Sequence, residues 1–275
     1  MNSLRMNRLL GSKGCAVVVA CDHGEFDGPQ PGLLDPIDLL NQLGDAPDGI
    51  LMSPGTLRRA ASVLGKRNAP VPIVRLNWNS VYAFGWKPQD SVGATVIDAE
   101  EALRLGADVA LVGLTLNTGS ESVDAANIDS FCQALLGCRR LGLPAIGEYF
   151  PDAATAADPD RLHDEVVRGV RIVCELGADA VKTFLNPEWT DVIAGCPIPV
   201  FGLGAERKNS DLEALELAHG QIKAGASGVV FGRNVFQSDD PLRFARALSA
   251  VVKDGKEPIH ALHLADAHSA PGQAN

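Results

Sequence analysis

Near the end of an apolar stretch running from Gly177 to Phe184 stands a lysine, Lys182. Burying an unpaired ammonium is costly, so a lysine in such a run needs a reason. Desolvation favours the neutral amine, and a neutral amine can attack a carbonyl to form a Schiff base. The plainer alternative is a strand-end lysine whose tip reaches solvent. Other apolar runs also end in groups able to do chemistry: Asp22 and His23, Arg75 and Asn77, Glu148 and Tyr149. Gathered together, Asp22, Glu148 and Lys182 make a carboxylate–amine cluster in which each member perturbs the others' protonation.

Those residues need elements that bring them to one place. Eight short apolar runs lie at 15–21, 48–53, 72–78, 107–114, 144–150, 177–184, 199–203 and 227–232, separated by helical patterns. Glycines at Gly106, Gly177 and Gly225 close helices just before the next run. Eight alternations predict a single-domain TIM (β/α)8 barrel, an α/β fold. An open doubly wound sheet is the competitor, weakened because no G-x-G-x-x-G follows the first run. Residues 1–13 read as an N-terminal extension, 14–256 as the barrel and 257–275 as a polar tail that either frays or docks on a neighbour. Residues 79–93 read as a long loop able to cover a substrate, with Trp78, Tyr82 and Trp86 lining a pocket or packing in the loop.

In a barrel the site lies at the C-terminal ends of the strands. The outward face of each strand lies under helices, so Arg75, Glu148 and Lys182 are expected to point into the mouth. Parity then turns Tyr149 to the opposite face from Glu148, and puts Arg75 and Asn77 on one face. His23 is a candidate proton shuttle. The seventh and eighth strands end in Gly202, Gly204, Gly232 and Arg233. Close backbone approach and a guanidinium make these a candidate phosphate site; the alternative is that the glycines merely form tight turns.

Composition sets outer bounds. The net charge of −10 argues against a nucleic-acid partner and against an anionic membrane surface. No apolar run approaches a membrane span. The six cysteines contain no C-x-x-C pair and read as reduced thiols, and with no secretory pattern at the N-terminus a cytoplasmic location is the expectation. No spacing suggests a metal site, the histidines 260, 263 and 268 lacking a second cluster to complete one.

Three stretches, Ala20 to Gly24 with Gly28 and Pro29, Gly177 to Thr183, and Gly225 to Gln237, resemble the class I aldolases of the archaeal fructose-bisphosphate type, relatives of the tagatose-bisphosphate and deoxyribose-phosphate aldolases. The resemblance spans roughly residues 14 to 250. It implies a metal-independent lyase of carbohydrate metabolism that joins dihydroxyacetone phosphate to an aldehyde, or reverses that step, with no cofactor beyond the lysine Schiff base. It places Lys182 at the Schiff-base position, Asp22 as its orienting carboxylate, and Gly204, Gly232 and Arg233 on the phosphate, and implies a homo-oligomer. The fructose-bisphosphate members carry Trp-x-Tyr-Pro on the fifth strand. Aligned on Pro151, this chain has Glu148 at the Trp and Phe150 at the Tyr. Because the tagatose-type enzymes use a glutamate on this strand, Glu148 is the expected acid/base, with Tyr149 in reserve. Two other readings stand beside this one: a related synthase, transaldolase or thiolase acting on a phosphorylated ketone, and a non-catalytic phosphosugar-binding barrel.

Overall fold

The computed structural model describes residues 4–86 and 90–269. Eight parallel strands close a barrel: β1 (Ala16–Ala20), β2 (Gly49–Met52), β3 (Val71–Arg75), β6 (Val109–Leu114), β7 (Ala145–Tyr149), β8 (Ala180–Thr183), β9 (Val200–Leu203) and β10 (Gly228–Phe231). Neighbours in the barrel are neighbours in the chain, and β10 pairs with β1 to complete it. The remaining two strands, β4 (Asn77–Asn79) and β5 (Gly93–Thr95), form a separate antiparallel pair above β3. This is the predicted TIM barrel, and its strands fall within the eight apolar runs except that β3 starts one residue earlier, at Val71.

The strands are apolar throughout because both faces are covered. Their inward side chains, among them Val18, Leu51, Ile73, Leu111, Ile146, Ala180, Phe201 and Val230, fill the barrel with a compact apolar cluster. Their outward side chains meet the surrounding helices in a second, larger core. Gly106, Gly177 and Gly225 take positive φ of 94°, 101° and 104°, the left-handed turn that carries each helix end into its strand.

Both chain ends carry helices. Within the N-terminal extension, Leu4–Leu10 is a helix. Its Met6 and Leu9 are 4% and 0% exposed and join the inner cluster, so the helix stoppers the end of the barrel opposite the mouth. Arg5 and Arg8 fasten it to Asp108 at 3.1 and 2.8 Å. Within the tail, residues 258–269 also lie against the barrel. Pro258–Ser269 is a helix packed against the helix Pro241–Asp254, with Ala261, Leu262 and Ala265 buried. Its apolar side is built largely of alanine, which gives little hydrophobic contrast from which to read a face.

Candidate active site

The inward parity of the strand ends delivers four charged side chains to one level of the barrel. Glu148 on β7 pairs across the ladder with Lys182 on β8 and with Gly113 on β6. Lys182 Nζ is hydrogen-bonded to Glu148 Oε1. Arg75, at the end of β3, reaches across the mouth. Its Nη2 donates to Glu148 Oε2 at 2.6 Å and its Nε donates to Asp22 Oδ2 at 2.8 Å. Exposure of the four residues is 3% for Asp22, 1% for Arg75, 2% for Glu148 and 7% for Lys182. Two cations therefore face two carboxylates almost out of water. Burial pushes both carboxyls up, but Arg75 first and Lys182 second pull them down, and the net shift of each is downward. Arg75 is held above its ordinary value against its own desolvation by Glu148 and Asp22.

Above this floor opens a cavity of about 530 Å³, within the range of small-molecule sites. Its walls carry four phenylalanines: Phe26, Phe84, Phe150 and Phe184. At its rim lie Gly204, Ala205, Lys208, Gly232 and Arg233. Asn234 shapes that rim: its amide donates to Gly204 O at 2.8 Å and to Glu206 O at 3.1 Å, and its Oδ1 accepts from Lys208 N at 2.8 Å. Ala205 sits at φ 52°, the left-handed region, which bends the loop over the cavity. A Cβ on Gly232 would come within 2.3 Å of His23 Cε1, so only glycine lets the backbone lie this close to the β1 loop. The Arg233 Nε is buried without a partner. A guanidinium and a lysine at a glycine-lined rim suit an anion such as a phosphate.

Of the residues singled out in the sequence, Asp22, His23, Arg75, Glu148, Lys182, Gly204, Gly232 and Arg233 line this cavity. Three do not. Tyr149 turns into the helix layer, as parity predicts, and its hydroxyl donates to Glu165 Oε1 at 2.6 Å. The ring occupies the space that Gly169 leaves open on the helix Pro159–Glu175, so Tyr149 cannot serve as the reserve acid/base. Asn77 is consumed by the backbone of Gly113, donating to its O at 2.8 Å and accepting from its N at 2.7 Å. The chain leaves β3 at Leu76 and restarts as β4, which breaks the parity that was to set Asn77 beside Arg75. Gly202 faces outward, where a Cβ would strike the Gln221 side chain at 2.5 Å. The role of Gly204 also narrows: its N–H already donates to Val230 O at 3.2 Å. His23 packs its ring on Phe236, and burial lowers it to about 4, so it is neutral near pH 7.

Lys208, Asn234 and Phe184 were missed by sequence reasoning. Asn234 follows Arg233 directly, and a buried asparagine after a glycine–arginine turn was the available signal. Tyr82 is the one loop aromatic of the three considered that lines the cavity; Trp78 and Trp86 instead pack on one another at 6.0 Å.

Residues 16–238 match the profile described as DeoC/LacD family aldolase. An uncharacterised aldolase of Saccharolobus solfataricus is 28% identical over 270 residues, covering 96% of this chain and 98% of the relative. The 3-hydroxy-5-phosphonooxypentane-2,4-dione thiolase of Escherichia coli is 31% identical over 265 residues, covering 94% and 85%. Among solved structures, an archaeal fructose-1,6-bisphosphate aldolase with its catalytic lysine covalently bound to the carbinolamine intermediate superimposes with a TM-score of 0.76 at 25% identity, covering 90% of this chain and 98% of that one.

Proposed function

This chain belongs to the DeoC/LacD family of aldolases, and on that premise we propose that it cleaves or forms a carbon–carbon bond of a phosphorylated ketose through a Schiff base on Lys182. The observation that carries this reading is the buried Lys182–Glu148 pair at the foot of a cavity whose rim offers Arg233, Lys208 and Gly232. An amine able to pass its proton to an adjacent carboxylate becomes a nucleophile without leaving its place.

The steps follow from the positions. The phosphate sits at the rim and the ketone carbon lies against Lys182. Lys182 gives a proton to Glu148 and attacks the carbonyl. Asp22, fixed by Arg75, steadies the resulting carbinolamine, and Glu148 returns the proton to its hydroxyl, which leaves as water to give an iminium. Glu148 then removes the proton of the hydroxyl on the far side of the scissile bond. That bond breaks, its electron pair moves into the iminium to give an enamine, and an aldehyde leaves. Glu148 gives that proton to the enamine carbon, and water hydrolyses the iminium to release the ketone and restore the lysine. A positioned carboxylate in such a step contributes about 10²–10⁴ in rate.

The thiolase relative favours a second reading, in which a phosphorylated dione reacts on the same lysine and its acyl fragment passes to a thiol. Among the described residues no cysteine lines the cavity, so Lys182 is the covalent nucleophile toward the ketone in either reading. The test is borohydride trapping with dihydroxyacetone phosphate, read by mass spectrometry. The expected result is a stoichiometric adduct, absent in Lys182→Ala. No adduct with dihydroxyacetone phosphate, with other ketose phosphates or with a phosphorylated dione would rule out the Schiff-base reading and leave the phosphosugar-binding barrel. Turnover of ketose phosphates, compared with that of the dione plus a thiol, separates aldolase from thiolase.

A further inference from the structure

The chain has two tyrosines. Tyr149 is bound to Glu165 behind the barrel, and the next residue toward the mouth, Phe150, carries no acidic group. Tyr82 reaches the same cavity from a different direction. It closes the 3₁₀ turn Ser80–Tyr82 that follows β4. That turn is fixed by side-chain hydrogen bonds: Asn79 accepts from Val81 N at 2.9 Å and donates to Ser91 O at 3.1 Å, while Asn127 accepts from Gly93 N at 3.1 Å. The ring lies 4.7 Å from the Arg75 guanidinium, 4.8 Å from Phe26 and 4.9 Å from Phe150, and the residue is 6% exposed.

Its hydroxyl is sealed from solvent and lies beside Glu148 and Arg75 without a well-formed hydrogen bond to either, and Arg75 Nη1 likewise lacks one. Both atoms converge on one spot. A Cβ on Gly113 would lie 2.7 Å from Tyr82 Oη and 3.4 Å from Arg75 Nη1. Gly113 is the ladder partner of Glu148, so the phenol stands beside that carboxylate. A buried hydroxyl without a well-formed hydrogen bond is costly, and one set beside a functional carboxylate calls for an explanation.

We infer that Tyr82 is a positioning residue for the proton transfer, its phenol donating to Glu148 once Lys182 has become an iminium. This rests on the Schiff-base reading above. In the resting site each oxygen of Glu148 already accepts from a cation, Oε1 from Lys182 and Oε2 from Arg75, and each keeps a further lone pair. Bond formation to the substrate replaces N–H donors of Lys182 with carbon. Glu148 must then hold its place while taking a proton from the substrate hydroxyl. The phenol is the adjacent donor with unused capacity. It donates its O–H without surrendering it, so no proton is gained or lost by Tyr82. The groups facing Glu148 are Arg75, Lys182, Asp22 and Tyr82, and of these the phenol alone is uncharged.

The experiment compares the wild-type enzyme, Tyr82→Phe and Gly113→Ala, using dihydroxyacetone phosphate alone. Two readouts are taken: the borohydride-trapped adduct, and deuterium exchange at the carbon next to the imine followed by NMR across pH. In Tyr82→Phe the adduct is expected to form as in wild type while saturated exchange slows by roughly 10- to 100-fold, the scale of a misplaced catalytic group. The acid limb of the saturated rate moves to higher pH, because the carboxylate in the complex has lost a donor; the acid limb of the rate at low substrate, set by the free enzyme, stays put. Gly113→Ala puts a methyl where the phenol lies and is expected to give the same split. Wild-type exchange in both variants would overturn the inference. So would a parallel loss of adduct, affinity and exchange, which marks a mere wall residue. Absence of the adduct in the wild-type enzyme overturns the Schiff-base reading and this inference together.

Discussion

Arg75→Met isolates what the buried guanidinium contributes. Arg75 is 1% exposed and holds Asp22 at 2.8 Å and Glu148 at 2.6 Å. Methionine fills much of the same volume but leaves two buried carboxylates facing one cation. Removing one partner of a buried ion pair costs about 3–5 kcal/mol. The two losses do not simply add, because protonating one carboxyl relieves the repulsion between them. A chain of 275 residues unfolds with an entropy near 0.6 kcal/mol per kelvin, so the melting temperature at neutral pH should fall by about 5–9 °C. The pH dependence carries the sharper test. In the wild-type enzyme both carboxyls lie below their unfolded values, so their contribution is present above about pH 4 and is lost as pH falls through the depressed values. In the variant burial prevails and lifts a carboxyl above its unfolded value. That penalty is full at neutral pH and fades as pH falls toward about 4. Thermal unfolding of both proteins at about pH 7.5 and about pH 5 should show a gap that narrows with acid. A gap of the same size at both pH values, or none at neutral pH, would refute the charge-compensation argument.

Three further outcomes follow. Gly232→Ala forces a methyl to within 2.3 Å of His23 Cε1 and 3.0 Å of Ala20 O, so the phosphate rim must shift; KM for the phosphorylated substrate should rise several-fold with the borohydride adduct retained, as steady-state kinetics would show. Tyr149→Phe leaves turnover unchanged, because the hydroxyl serves Glu165 behind β7, but lowers stability by about 1–3 kcal/mol in urea unfolding. Leu9→Ala empties part of the barrel's stopper and should cost about 2–5 kcal/mol by the same assay while sparing KM.

Charge made much of this site legible in the sequence. Arg75, Glu148 and Lys182 sit in apolar runs, and the price of stranding a charge under helices fixes which way each must point. The same parity correctly turned Tyr149 away. Glycine carries no such marker. Gly202 and Gly204 look alike in sequence, yet one packs on Gln221 and the other borders the cavity. Asn77 misled because parity holds only while a strand continues, and β3 stops at Arg75, two residues short of Asn77. Tyr82 was only one of three loop aromatics because its position depends on distant anchors, Asn127 and Ser91, that no local period encodes. The stopper helix was hidden for a related reason: its target is the barrel interior, which exists only once all eight strands have closed.

The four-charge floor has a consequence for how little the protein must adjust during a turnover. An iminium carries the same formal charge as the ammonium from which it is made. The sum over Asp22, Arg75, Glu148 and Lys182 is therefore zero before the covalent bond forms and zero afterwards. No charge has to enter or leave the buried layer, and counter-ions or solvent need not follow it. The barrel acts as a solvent already polarised for both ends of the reaction, with its dipoles fixed by folding rather than by the arrival of substrate.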